Sequence, residues 1–156
     1  MAVTYTQHDK TILDALESLF KAEFPGFEIV IDDIFNTKYM GKGEYLRIFI
    51  VDIAEDSKMS NGAYYNYITE FVWYFNKKKH DKEDMQEKII SPRIQRSLQL
   101  LNNNRVYQNG GSAGWDNLTV DGIPKIQPIS EIDDVEGYDQ FIGTVINATI
   151  HKGVYW

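Results

Sequence analysis

YYNYITEFVWYF (residues 64–75) decides the fold. Tyr67, Phe71, Trp73 and Phe75, with Thr69 between the first two, share one face of an extended chain at the two-residue spacing of a strand. Two more strand-like stretches precede it. In FEIVIDDIF (27–35), Phe27, Ile29 and Ile31 point one way and Glu28, Val30 and Asp32 the other. In EYLRIFIVDI (44–53), Leu46, Ile48 and Ile50 lie on one face, and Tyr45, Phe49, Val51 and Ile53 on the other. A strand apolar on both faces belongs near the middle of a sheet. Lys38–Gly43 reads as a turn, and the polar AEDSKMSNGA (54–63) as a loop. Three strands in succession with modest loops predict an antiparallel meander.

Toward the N-terminus, residues 6–23 carry Ile12, Leu13, Leu16, Leu19 and Phe20 at helical spacing, with Thr6 as cap and Asp9 three residues on. Pro25-Gly26 ends that helix. Beyond the central strand, NKKKHDKEDMQEK (76–88) mixes both charge signs and reads as a solvated helix start. Ile89, Ile90, Ile94, Leu98 and Leu101 continue at helical spacing, and Ser91-Pro92 fits an N-cap and first helical position. The stretch is either one kinked helix or two abutting ones, ending near Asn102–Asn104.

NGGSAGWD (109–116) reads as a loop with an exposed Trp115. NLTVDGIPKIQPI (117–129) is a strand interrupted at Asp121-Gly122, and Pro124 and Pro128 assign its second half to a sheet edge. SEIDDVEG (130–137) is an acidic loop. In YDQFIGTVINATIHKGVYW (138–156), Ile142, Thr144, Ile146, Ala148 and Ile150 share a core face, between polar ends at Gln140 and Lys152. Gly143, Val145, Asn147, Thr149 and His151 take the more polar face. Val154, Tyr155 and Trp156 either complete the home sheet or meet a neighbouring subunit. The order helix, three strands, helix pair, two strands predicts an α+β class: a mostly antiparallel sheet of about five strands, with helices packed on one face. At 156 residues a single domain over 1–156 is expected.

Chemistry leaves few traces. The absence of cysteine excludes a disulfide framework and a thiol nucleophile. His8, His80 and His151 lack metal-ligand spacing, and His8 and His80 fall near helix starts, where solvation is expected. Asp32-Asp33 would point to opposite strand faces; Glu55-Asp56 and Asp133-Asp134 read as solvated loop pairs. No serine sits in a G-x-S-x-G elbow, and the glycines at 41–43 and 110–114 lack the ending of a phosphate-binding loop. The expectation is a non-enzyme with no catalytic residue, metal or cofactor. MAVTYTQHDK shows no secretory signal, and no run reaches the roughly 20 apolar residues of a membrane helix. A net charge of −7 argues against wrapping nucleic acid. Ten Tyr, eight Phe and three Trp either fill a β-rich core or serve protein interfaces. The stretches 54–66, with Tyr64 and Tyr65, and 104–117, with Tyr107 and Trp115, are candidate docking loops. With Tyr155 and Trp156 these residues form the candidate interface.

In order and texture, TILDALESLF, then FEIVIDD, YLRIFIVDI and YITEFVWYF, then RIQRSLQLLNNNR, then NLTVDGIPKIQPI and FIGTVINATIHKG, the chain resembles the tail-terminator and tail-completion proteins of long-tailed bacteriophages. That resemblance implies a homo-oligomeric ring, a hexamer, that caps the tail tube and docks to the neck or connector of the capsid. DNA would cross its lumen without specific binding. It implies a place at the head–tail junction of the virion after synthesis in the host cytoplasm. The net negative charge, repeated around a ring, would keep DNA sliding. Three alternatives stay open: another neck component such as a stopper or adaptor, an acidic inhibitor of a host protein, and a small enzyme with a curved sheet around a pocket.

Overall fold

The computed structural model describes residues 7–31, 44–77, 85–107, 114–128 and 141–155. Its elements are α1 (His8–Glu23), β1 (Glu28–Ile31), β2 (Glu44–Met59), β3 (Gly62–Asn76), a π-helical turn (Met85–Ile90), α2 (Ser91–Asn103), β4 (Asn117–Pro128) and β5 (Phe141–Tyr155). The class is α+β, with one five-stranded sheet ordered β1-β2-β3-β5-β4. The central strand is the aromatic stretch 64–75 within β3.

Both faces of β3 bury side chains, because its alternation supplies two apolar rows. Tyr67, Phe71, Trp73 and Phe75 join Ile12, Leu16, Phe20 and Leu101 of the helices in the main core, with Leu46, Ile48, Ile146 and Ile150 from the flanking strands. Trp73 is the hub. Its ring meets Phe24 edge-on at 5.2 Å, lies 5.9 Å from Phe75, and its indole N–H donates to Ser97 Oγ at 2.9 Å. The opposite face carries a smaller cluster of Tyr45, Val72, Tyr74 and Phe141, with Tyr45 stacked on Tyr74 at 4.5 Å. Arg47 is buried there. It donates to the Tyr74 hydroxyl, and its guanidinium lies 4.6 Å from the centre of the Phe49 ring. Burying such a cation is tolerable because hydrogen bonding and ring faces replace part of its hydration.

Two arginines lock the helices to the sheet end. Arg93 of α2 makes a fork with Glu44 at 3.0 and 3.2 Å and lies over Phe27 at 4.5 Å. Arg96 reaches the Glu23 carbonyl at 2.7 Å and stacks over Phe24 at 4.6 Å. A cation at that carbonyl satisfies the end of α1 and complements its dipole. These contacts outweigh the pairs Lys10–Asp14 and Lys21–Glu17, whose exposed charges are screened by solvent.

The structure departs from the sequence reading at several points. β1 pairs with β2 in parallel, Glu28 with Tyr45 through Ile31 with Ile48, so the first three strands are not a meander. Alternation carries no strand direction, and residues 32–43 give the roughly dozen residues that a parallel crossover requires. The stretch 54–63 is not a loop: β2 runs to Met59 and β3 starts at Gly62. Residues 51–58 are exposed on both faces, so the strand has no hydrophobic pattern to betray it. Glu55-Asp56 therefore sits on a strand. The cap of α1 falls one residue later than expected, at Gln7, with no side-chain cap bond. Ser91 is no N-cap either. The π turn runs straight into α2 with Pro92 in the first turn, which gives one continuous helical stretch. A wide turn just before a proline accommodates its missing N–H. β4 is an edge strand as expected, but continuous to Pro128. A bulge between Asp121 and Lys125, with Gly122 at φ +69°, absorbs the Asp-Gly interruption. Thr6, Asp32-Asp33, Gly41–Gly43, His80, 109–113, 130–137, Gln140 and Trp156 lie outside the described residues.

Candidate functional site

Beyond Ile50 in β2, Thr69 in β3 and Ala148 in β5, the sheet continues as an outer end in which β2 and β5 flank β3, with β4 alongside β5 only as far as His151. Gly62 pairs with Met59 and with Tyr155, so both neighbouring strands are held to the tip. A Cβ on Gly62 would stand 2.3 Å from the Val154 carbonyl oxygen, so only glycine permits this close approach. β5 thus stays in its home sheet to Tyr155, whose ring is nevertheless 62% exposed.

A β-bulge decides which side chains face where. The register shift between Ile50 and Asp52 moves Ile53 opposite Tyr67, onto the helix side of the sheet. Plain alternation had placed it with Tyr45. On that side Ile53, Tyr65, Tyr67 and Val154 line a shallow groove of about 370 Å³, closed by Gln7, His8 and Asp9 at the start of α1. Lys152, paired with Tyr65 across the strands, is buried beside it. Burial holds the Lys152 ammonium below its ordinary range, partly offset by Asp116. It is therefore no polar strand end.

His8 is not the solvated histidine expected from its position. Its Nδ1 is buried without a hydrogen-bond partner among the described residues, and its pKa is lowered first by desolvation and then by the nearby Lys152. A base whose folded pKa lies below its unfolded value disfavours folding once it must protonate. Stability should therefore be highest above the unfolded value of 6.5 and should fall as pH drops below it. Urea midpoints measured across that window should show the fall, and His8→Gln should flatten it.

The other side of the tip is aromatic and polar. Tyr64 stacks on His151 at 5.0 Å, and His151 Nδ1 lies 2.9 Å from Asn66 Oδ1 and 3.9 Å from Asp56. The Tyr155 hydroxyl shares a hydrogen bond with Tyr64, which raises its pKa. Gly153 leaves room for the two rings, since a Cβ there would meet both at 3.1 Å. The outer end therefore brings Tyr64 and Tyr155 together on this side, with Tyr65 on the groove side of the same sheet.

Tyr107 and Trp115 are elsewhere. They form an isolated antiparallel bridge after α2, and their rings stack at 4.8 Å. Trp115 is 1% exposed, and its indole N–H donates to the Asn104 carbonyl at 2.9 Å. It closes the core and is no exposed docking residue; a glycine-rich flank gave no sign of the bridge that buries it. The reading also missed the part played by His8 and the helix-side position of Ile53. The cross-strand register unites these, and no local signal does.

Among the described residues, no three His, Asp or Glu side chains converge as metal ligands. What the geometry offers is surface: a scaffold of the α+β class, with helices on one face and an aromatic-tipped sheet end.

No family model and no curated protein matches the sequence. Among solved structures, the fold is similar to the sheath/tube terminator of PVC, an extracellular contractile injection system, in its extended state. The TM-score is 0.52 at 14% identity, with 99% of this chain and 59% of that chain covered. The likeness spans the whole sheet and both helices, and the chain is about three-fifths of that neighbour's length.

Proposed function

We propose that the chain is a tail-terminating structural subunit: a non-enzymatic protein that assembles into a ring, a hexamer, on the end of a tail tube and joins it to the next part of the particle. In a phage that part is the neck and head, and DNA passes through the lumen. The observation that carries this reading is the likeness of fold to a sheath/tube terminator over 99% of the chain. The aromatic tip supports it. A ring needs two different patches on each subunit, and Tyr155, beside the half-buried Tyr64, supplies exposed aromatic surface away from the helices.

The test is to mix the purified chain with tail tubes and follow mass by light scattering and position by gold-labelled negative stain. Label at one end of each tube, with ring-sized mass, is the expected result. Tyr155→Ala should reduce that capping while leaving the unfolding free energy within about 0.5 kcal/mol, as for exposed sites. Label along the tube wall, or none on any tube, rejects the reading.

A further inference from the structure

Two phenols meet at the outer end with their reactive ring carbons turned toward one point. Gly153 stands directly opposite Tyr64, and Tyr155 follows two residues on, so Tyr64 and Tyr155 are diagonal neighbours on one face of the β3–β5 pair. The glycine between them leaves the rings free to close over it. A Cβ built on Gly153 would stand 3.1 Å from Tyr64 Cε1, 3.1 Å from the Tyr155 hydroxyl oxygen and 3.3 Å from Tyr155 Cε2. Each Cε is the ring carbon beside the hydroxyl. The two hydroxyls share a hydrogen bond. Tyr155 is 62% exposed, which opens the pair to a reagent in solution. Tyr45 and Tyr74 also stack, at 4.5 Å, but both are fully buried.

We infer that Tyr64 and Tyr155 form a cross-linking site, where peroxide-driven one-electron oxidation joins the two rings into an intrachain dityrosine. Each phenol gives up one electron and its hydroxyl proton, which leaves a phenoxyl radical with unpaired spin partly on the Cε carbons. The radicals pair to make a Cε–Cε bond. The hydrogen on each of those carbons then moves to the oxygen beside it and restores the phenol. The net loss is two hydrogens, which reduce one hydrogen peroxide to two waters. In the product the hydroxyls flank the new bond and hydrogen-bond to each other, a contact the folded chain already makes. Holding the reacting atoms together in advance favours this coupling over one between separate chains. The link would tie β5 to β3 at the tip. With no cysteine in the chain, a disulfide cannot serve there. Closing so long a loop removes freedom chiefly from the unfolded chain, so the staple stabilises the fold. The inference does not rest on the terminator reading, since it concerns two rings of one subunit.

The test treats the purified full chain with a haem peroxidase and hydrogen peroxide, and reads dityrosine fluorescence and the masses of tryptic peptides. The expected product is a linked pair of peptides, lighter than their sum by two hydrogens, with fragmentation placing the link on Tyr64 and Tyr155. Its yield per chain should not depend on protein concentration, as for an intramolecular step. Tyr64→Phe and Tyr155→Phe keep the rings and should each abolish it. Gly153→Ala keeps both phenols but sets a methyl group between them, and should cut the yield about tenfold by removing the near-attack geometry. Each variant is first checked for native circular dichroism. The coupled chain should unfold at a higher urea concentration than the untreated one. Links between other tyrosines, covalent dimers in place of the intrachain product, full yield from a folded Gly153→Ala variant, or a coupled chain no harder to unfold would overturn the inference.

Discussion

Trp73→Ala lowers the unfolding free energy by about 3–5 kcal/mol, the cost of removing a large aromatic from a packed core. The Trp73 indole touches Phe24 at the end of α1, Phe27 before β1 and Phe75 on its own strand, and it donates to Ser97 of α2. The cavity would open where α1, α2 and the sheet meet, and rigid elements on three sides cannot collapse into it. Trp73→Phe isolates the packing term. Ser97 keeps its own bond to the Arg93 carbonyl at 2.7 Å, so no buried hydroxyl is stranded. Urea unfolding should place the Phe variant much nearer the native protein than the Ala variant. Equal losses for both would mean that the indole N–H, and not the ring volume, holds the helices.

Trp115→Ala should cost a similar amount, about 3–4 kcal/mol. Its ring is buried against Tyr107, and its N–H caps the Asn104 carbonyl just past α2. Trp115→Phe keeps the stack but leaves that carbonyl without its donor, at about 1–3 kcal/mol. Chemical denaturation of the isolated chain measures both. A Trp115→Ala variant as stable as the native protein would return the residue to the docking surface first assigned to it. Tyr155→Ala gives the opposite profile, with unchanged stability and weakened assembly. The pair thus separates a core aromatic from an interface aromatic among residues that looked alike in sequence.

The elements that bury one clean face were legible. The amphipathic stripe of α1 and the alternation of 64–75 and 142–150 specify helix and strand by spacing alone, and the structure places those residues in one core. The prolines of β4 announced an edge, because a residue without an N–H cannot serve an interior ladder. Order and length along the chain sufficed for the α+β class. The outer end was opaque for a physical reason: where both faces of a strand meet water, selection for hydrophobic period disappears, and 54–63 looked like a loop.

What the amino-acid sequence determined by itself is therefore the set of elements and the faces they bury, since burial writes itself into local period. Tertiary structure decided what is non-local. It set the parallel pairing of β1 with β2, the bulge that turns Ile53 to the helix side, and the bridge that buries Trp115. Strand direction, register and cross-chain stacking depend on which partner lies alongside, and a one-dimensional pattern holds no record of its partner.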